Sequence, residues 1–269
     1  MPVGVKTMQA DLWFWQEAQG LPYLCCELLA DWQHGFFTRG FYPQLPAVLV
    51  KHLDNQAEAF RVKQVHGDRI LTPTEIAQLP PAPDSHHPPA DAVISDAPLQ
   101  GVWVASADCT PVLIGDIETG RVAAIHAGWR GTAARIVPKT VAKFQQAGSE
   151  LSHLRIALGP AIAGEVYQVD PPVALQVGQS LTAVQQFSDP DAQWDYLYHA
   201  TDPPVLPDPE PNKCRLDVRR INALQLLELG IHPDQLAIAP YCTFQTPQRF
   251  FSYRRTHTKE VQWSGIVSL

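Results

Sequence analysis

The sequence has no uncharged apolar run approaching the ~20 residues that cross a bilayer, and Met1–Trp15 lack a basic start followed by an apolar stretch. Neither a membrane span nor a secretory leader is expected. Cysteine is scarce: Cys25, Cys26, Cys109, Cys214 and Cys242 are too few, and odd in number, for a disulfide framework. Basic charge is short as well, with 20 Lys and Arg against 27 Asp and Glu and a net charge of −7. No basic stripe is present to displace counterions from a duplex, which excludes nucleic acid as the main partner. Repeats and low-complexity tracts are absent. These absences describe a reduced, cytoplasmic protein that acts without membrane or nucleic acid.

What is there fits a folded protein. Hydrophobic residues make up 45% and charged residues 17%, a balance that excludes a disordered chain. A compact chain of 269 residues hides about three quarters of its unfolded surface, so it needs no covalent staples. Proline is abundant, at 25, and two dense stretches, Pro80–Pro89 and Pro203–Pro211, read as surface loops. Neither stretch separates independent cores, so residues 1–269 are read as one domain. Alternation and β-branched residues predict strands over Ala59–Leu71, Asp91–Ser95, Gly101–Ile114, Arg121–His126, Leu154–Leu158, Leu236–Ala239, Phe250–Arg254 and Val261–Val267. The Cys25–Cys26 pair belongs to a further apolar strand. Helices are predicted over Thr132–Gln146, over Pro171–Phe187 and over Val218–Leu229, the last capped by Asp217 and ended by Gly230. Pro138 requires a place near the first turn of its helix.

Three segments close predicted strands with chemically costly residues: Gln64–Gly67, Ala107–Pro111 and His126–Gly131. Strand ends running into loops are where α/β proteins place ligands. His66, Cys109 and His126 make a donor set suited to zinc, and three protein ligands leave a fourth position open, as catalytic sites do. Taken singly, Cys109 reads as a small core residue and each histidine as hydrogen-bonded in place. Spacing adds little. Steps of 43 positions from His66 to Cys109 and 17 from Cys109 to His126 are unlike a zinc finger, so the fold must gather the strand ends. Asp108 reads either as a general acid or base or as an Asx-turn residue. The predicted helix from Thr132 offers free N–H groups that, with Arg130, can hold an anion; the alternative is a glycine turn with Arg130 in solvent. Arg39 sits in a Gly-flanked loop, His34–Gly40. Arg254 and Arg255, beside core aromatics, either meet a substrate or balance acidic charge.

In order and separation, Gln64–Gly67, Ala107–Pro111, His126–Gly131, Gly159-Pro160-Ala161-Ile162 with Tyr167, and Phe250–Arg255 resemble the bacterial laccase-domain family. That family was first named for multicopper polyphenol oxidoreductases and is now described as purine nucleoside phosphorylases with adenosine deaminase activity. The resemblance spans residues 34–269. It implies a single four-layer α/β (α+β) domain of mixed sheets flanked by helices, similar to the deamidase domain of cytotoxic necrotising toxins, as a monomer or homodimer. It also implies that His66, Cys109 and His126 bind a catalytic Zn2+. The chain departs from the family pattern in two places. Gly164-Glu165-Val166 stands where a Cys pair is common, and the segment after Arg39 is shortened.

The chemistry so implied is phosphorolysis of purine nucleosides with phosphate, with Arg39, Gln64 and Arg130 contacting substrate or phosphate and Asp108, Cys109 and His126 in catalytic roles. Zinc also suits deamination at C6 of adenine. The main rival makes Cys109 a nucleophile and His126 its base, in an amidase-type Cys–His hydrolase acting on peptidoglycan precursors. Copper oxidation of polyphenols ranks lower, because the ten histidines include no His-x-His pair; Cu2+ would account only for incidental oxidase activity. A non-catalytic binding module is the remaining reading, and it predicts that Cys109→Ala keeps ligand affinity.

Overall fold

Period-two alternation decides how the layers stack, because neighbouring residues of a strand enter different cores. The computed structural model describes residues 10–269; most of the segment read as lacking a leader, residues 1–9, lies outside the described residues. Among the described residues there are two six-stranded sheets and a three-stranded one. The first large sheet runs β1 (Trp13–Ala18), β2 (Leu21–Cys26), β3 (His34–Phe37), β15 (Gln262–Val267), β7 (Gln100–Ser106), β4 (Glu58–Phe60). The second runs β14 (Leu236–Ile238), β10 (Leu154–Leu158), β8 (Thr110–Asp116), β9 (Val122–Ala127), β6 (Ala92–Ile94), β5 (Ile70–Leu71).

Leu24, Phe36, Val102, Val104 and Ile266 of the first sheet pack on Val93, Leu113, Val122, Ala124 and Ala157 of the second. Their strand neighbours face outward. Tyr23, Cys25, Phe37 and Trp103 meet Leu49, Val50 and Leu53 of helix α1 (Pro46–Leu53). On the far side, Val112, Ile114, Ala123 and Ile125 meet Ile136, Val141 and Phe144 of α4 (Ile136–Gln146) and Leu226 of α8 (Val218–Glu228). Helix, sheet, sheet, helix is the four-layer α+β order that the sequence led us to expect. Each fully buried Val, Leu, Ile or Phe contributes about 1.5–3 kcal/mol, so the two sheet faces and the helix stripes hold the stack without disulfides; all five cysteines are free.

Several predicted elements are divided. Ala59–Leu71 is β4 and β5 with a loop between them, and Gly101–Ile114 is β7 and β8 with a tight turn at Ala107–Cys109. The helix expected from Thr132 is two helices, α3 (Trp129–Ala133) and α4, broken at Arg135, whose φ is 61°. The reason is Pro138. Placed deep in a continuous helix it would clash with the carbonyl four residues back, whereas a restart at Ile136 puts it in the first turn. The stretch 171–187 is likewise split, into α5 (Pro171–Gly178) and α6 (Thr182–Gln185). Phe250–Arg254 is no strand: Ser252 caps the short helix α9 (Tyr253–Thr256), accepting from the Arg255 N–H. His34–Phe37, read as part of a loop, is the buried strand β3. The Pro203–Pro211 stretch carries β12 (Val205–Pro207), which pairs with β13 (Cys214–Leu216) and through it β11 (Gln168–Val169) in the small sheet.

Candidate functional site

The turn between β7 and β8 and the C-terminal end of β9 lie side by side. Thr110 pairs with Ala127 and Pro111 with His126, so Cys109, one residue before Thr110, falls opposite Gly128. The fit is close: a Cβ at Gly128 would lie 2.9 Å from the Cys109 Sγ and 3.3 Å from a ring carbon of His66. Parity along β9 puts His126 on the same face as Val122 and Ala124, at the open end of the space between the sheets, where it is buried. The third member arrives from the β4–β5 loop. One ligand atom each of His66, Cys109 and His126 lies within 4.8 Å of the others, and the two imidazoles meet edge to face at 4.8 Å between centroids. Among the described residues this is the one group of three or more Cys, His and acidic side chains that converges so.

Asp91, at the start of β6 and fully buried, holds this arrangement. Its carboxylate accepts the N–H groups of Val65 (3.1 Å), His66 (2.9 Å) and Gly67 (2.8 Å). It also accepts from His126 Nδ1 at 2.9 Å, which leaves Nε2 as the nitrogen available towards Cys109. His66 is kept at φ 60°, a left-handed conformation that costs a non-glycine residue about 1–2 kcal/mol. Gln64 fixes the same loop from the other side: its amide donates to the Ala105 carbonyl (2.8 Å) and accepts the Ala105 N–H (2.7 Å).

The electrostatics follow from this packing. Burial alone would push the Cys109 thiol up, but the charge of His126 and hydrogen bonds from both imidazoles draw it down to about 6. Burial pushes His126 down, and the Cys109 thiolate and the Asp91 carboxylate outweigh it, raising the imidazole to about 9. A thiolate and two imidazoles are the donors zinc takes. Tetrahedral bonds to zinc set neighbouring ligand atoms ~3.4–3.6 Å apart, and the exposed His66 is the member with room to close the remaining distance. The residues fit the ion.

Around the thiolate, Tyr167, Asp108, Arg130 and Arg254 lie close enough to act on one another. The Tyr167 phenol is pushed up to about 12 by burial first, then by the Cys109 and Asp108 charges, against the pull of Arg254 and Arg130. The Arg254 guanidinium sits 4.9 Å over the Tyr167 ring and donates to the Gln168 carbonyl at 2.8 Å. Arg130 is exposed and stacked on Trp129 at 4.2 Å. The Thr132 N–H, expected to be a free helix-start donor, is bonded to the Gly128 carbonyl inside α3. Asp108, buried with φ 96°, accepts from the Thr243 hydroxyl and from the Arg254 N–H, each at 2.7 Å. Both of its oxygens thus anchor neighbouring segments. Arg255 is spent on the carbonyls of Thr243, Phe244 and Phe250.

Arg39 makes its contacts elsewhere. It donates to the Pro247 carbonyl (2.9 Å), lies 4.6 Å over the Phe251 ring and lines a cleft with Arg249, Gly40 and Gln248. That cleft is at the same end of the first sheet as the Cys109 turn, since the start of β15 pairs with the ends of both neighbours, Gln262 with Ser106 of β7 and Ser264 with Phe36 of β3. Sequence reasoning missed Asp91 and left Arg254 between meeting a substrate and balancing acidic charge. The only signal for Asp91 was a carboxylate opening an otherwise apolar strand.

Comparison with known proteins bears on what such a site does. A family model described as multi-copper polyphenol oxidoreductase laccase matches residues 46–267. A protein of Synechocystis sp. named purine nucleoside phosphorylase slr1573 is 71% identical over 262 residues, 97% of this chain and 99% of that one. Adenosine deaminase RL5, from an unknown prokaryotic organism, is 28% identical over 159 residues, 58% of this chain and 54% of its own. The crystal structure of YlmD from Geobacillus stearothermophilus, 25% identical, covers 94% of this chain and 97% of its own with a TM-score of 0.75.

Proposed function

The chain belongs to the multi-copper polyphenol oxidoreductase laccase family, and from that premise we propose that it is a purine nucleoside phosphorylase. It splits adenosine, inosine or methylthioadenosine with phosphate into the free base and the corresponding ribose 1-phosphate, and deaminates adenosine as a second activity. The observation that carries this reading is the convergence of His66, Cys109 and His126 within 4.8 Å of one another, with Arg130 and Arg254 close by. The name of the Synechocystis relative supports the first activity and that of RL5 the second. Among the described residues no helix is long and apolar enough to cross a membrane.

Breaking an N-glycosidic bond builds positive charge on the ribose and negative charge on the purine, so a catalyst must quench the second and supply an anion to the first. His66, Cys109 and His126 would hold a Zn2+ ion, which would supply Lewis-acid charge to the site. The chain's own residues do the rest. Arg130, backed by Trp129, offers a guanidinium free to grip phosphate bidentately. Arg254 completes the cationic wall from above Tyr167, whose phenol stays protonated and able to donate to the leaving base. Asp108 keeps Arg254 and Thr243 in place and stands beside the site as a general acid or base for the purine. Gln64 serves by fixing the His66 loop, and Arg39 is offered to phosphate from the neighbouring cleft, whose lining shares no residue with the Cys109 centre.

The test is product identity. Ribose 1-phosphate formed from inosine, adenosine or methylthioadenosine only when phosphate is added supports the reading; free ribose formed without phosphate rejects it. One observation favours a second reading. Cys109, His126 and Asp91 line up as nucleophile, base and orienting carboxylate, which a Cys–His hydrolase requires. It leaves His66 unused at the thiolate, where metal binding gives it a place.

A further inference from the structure

We propose that Asp91 is the positioning residue that assembles the centre, fixing both histidines through one carboxylate. The inference rests on reading the trio as a metal site. Asp91 grips His126 twice: its backbone carbonyl accepts the His126 N–H at 2.8 Å and its side chain accepts from Nδ1 at 2.9 Å. The same side chain gathers three successive N–H groups of the loop that presents His66. A buried carboxylate is costly unless its lone pairs are met. Among the described residues His126 is its only side-chain partner, so the loop amides carry the remaining compensation. Holding the loop alone would need only the three amides. The fourth bond goes to an imidazole whose opposite nitrogen faces the Cys109 sulfur, and it determines which nitrogen carries the proton and how the ring is turned. Carboxylates behind ligating histidines do this in metal sites generally. Here the one residue also pins the loop of the second histidine, so losing it disturbs two of the three donors together.

The experiment compares Asp91→Asn and Asp91→Ala with the wild-type protein in zinc affinity, measured by competition with a chromophoric chelator. Asn retains the volume but turns an NH2 towards donors that need an acceptor. Both variants are expected to bind zinc about 10–100-fold more weakly. Once zinc is saturating, kcat per folded molecule should stay depressed while KM stays within about twofold of wild type; the folded fraction is measured on the same samples by urea unfolding, because loss of folded protein alone also lowers apparent kcat at unchanged KM. A second measurement needs no variant. Ring-nitrogen NMR of the wild-type protein, with and without zinc, should place a slowly exchanging proton on His126 Nδ1. Wild-type zinc affinity and kcat in Asp91→Asn, or a His126 ring without a proton on Nδ1, would overturn the inference. If neither variant folds, the NMR result decides alone. If the wild-type protein takes up no zinc, the metal reading falls, and the Nδ1 proton still decides whether Asp91 orients His126.

Discussion

At position 128 a single methyl group separates an assembled site from a displaced one. A Cβ there would stand 2.9 Å from the Cys109 Sγ and 3.3 Å from His66, and a cysteine side chain is too short to swing aside. The turn at Asp108–Cys109 must move instead, carrying one donor away and pressing on another. Gly128→Ala is therefore expected to weaken zinc binding at least tenfold, while the cost in stability stays within the ~1–3 kcal/mol typical of overpacking. Chelator competition and urea unfolding on the same samples check both parts; unchanged zinc affinity would show that Cys109 is not a ligand. Residues at this scale were unevenly legible. His66, Cys109 and His126 stood out by type, but their spacing along the chain says nothing about convergence, and family resemblance had to supply it. Asp91 was hidden because its partners are mostly backbone amides of a loop, which no residue pattern announces.

Elements show where local pattern and tertiary packing part company. Apolar alternation runs through Gly101–Ile114 without a break, yet the chain reverses at Asp108, whose φ of 96° is held by bonds to Thr243 and Arg254 more than 130 positions away. The aromatic run at Phe250 reads as a strand for the same reason: its burial is legible, whereas the Ser252 cap that starts α9 instead is a local bond that apolar pattern does not carry. β3 lies within His34–Gly40, which reads as a loop because Gly35 and Gly40 flank it. His34 earns its place by linking elements: its Nε2 accepts the Cys26 N–H at the end of β2 (2.9 Å), and its Nδ1 bonds the Trp32 carbonyl (2.8 Å). Burial outweighs these bonds and pushes its pKa down from 6.5 to about 4. Between those values the unfolded chain holds the proton and the folded one does not, so stability is complete above pH 6.5, falls as pH drops below it and levels off near 4. At pH 5 the loss is about 2 kcal/mol, at 1.36 kcal/mol per pH unit. Urea unfolding of the wild-type protein and His34→Asn at pH 7 and pH 5 measures it: the wild type should lose about that much more than the variant, and equal losses would refute the assignment.

Across the whole molecule the five cysteines act as reporters that separate the competing chemistries. Cys25, Cys26, Cys214 and Cys242 are buried, and Cys109 alone is partly open. Burial pushes Cys25 and Cys26 up to about 12 and Cys214 up to about 11, whereas the imidazoles bring Cys109 down to about 6. In the metal-free folded protein at pH 7, one thiol should therefore react with iodoacetamide much faster than the rest, and peptide mapping should place the label on Cys109. After unfolding all five should react. With zinc restored, the fast reaction should disappear, because a thiolate bound to metal is shielded. A Cys–His hydrolase predicts the opposite for the last step: its nucleophile labels at the same rate whether zinc or chelator is present. Fast labelling spread over several cysteines would mean that the layers do not close as described, since Cys26 lies between the two sheets and Cys25 between the first sheet and α1. The same three samples thus test the core at positions 25 and 26 and the site at 109, and they choose between a metal ligand and a nucleophile.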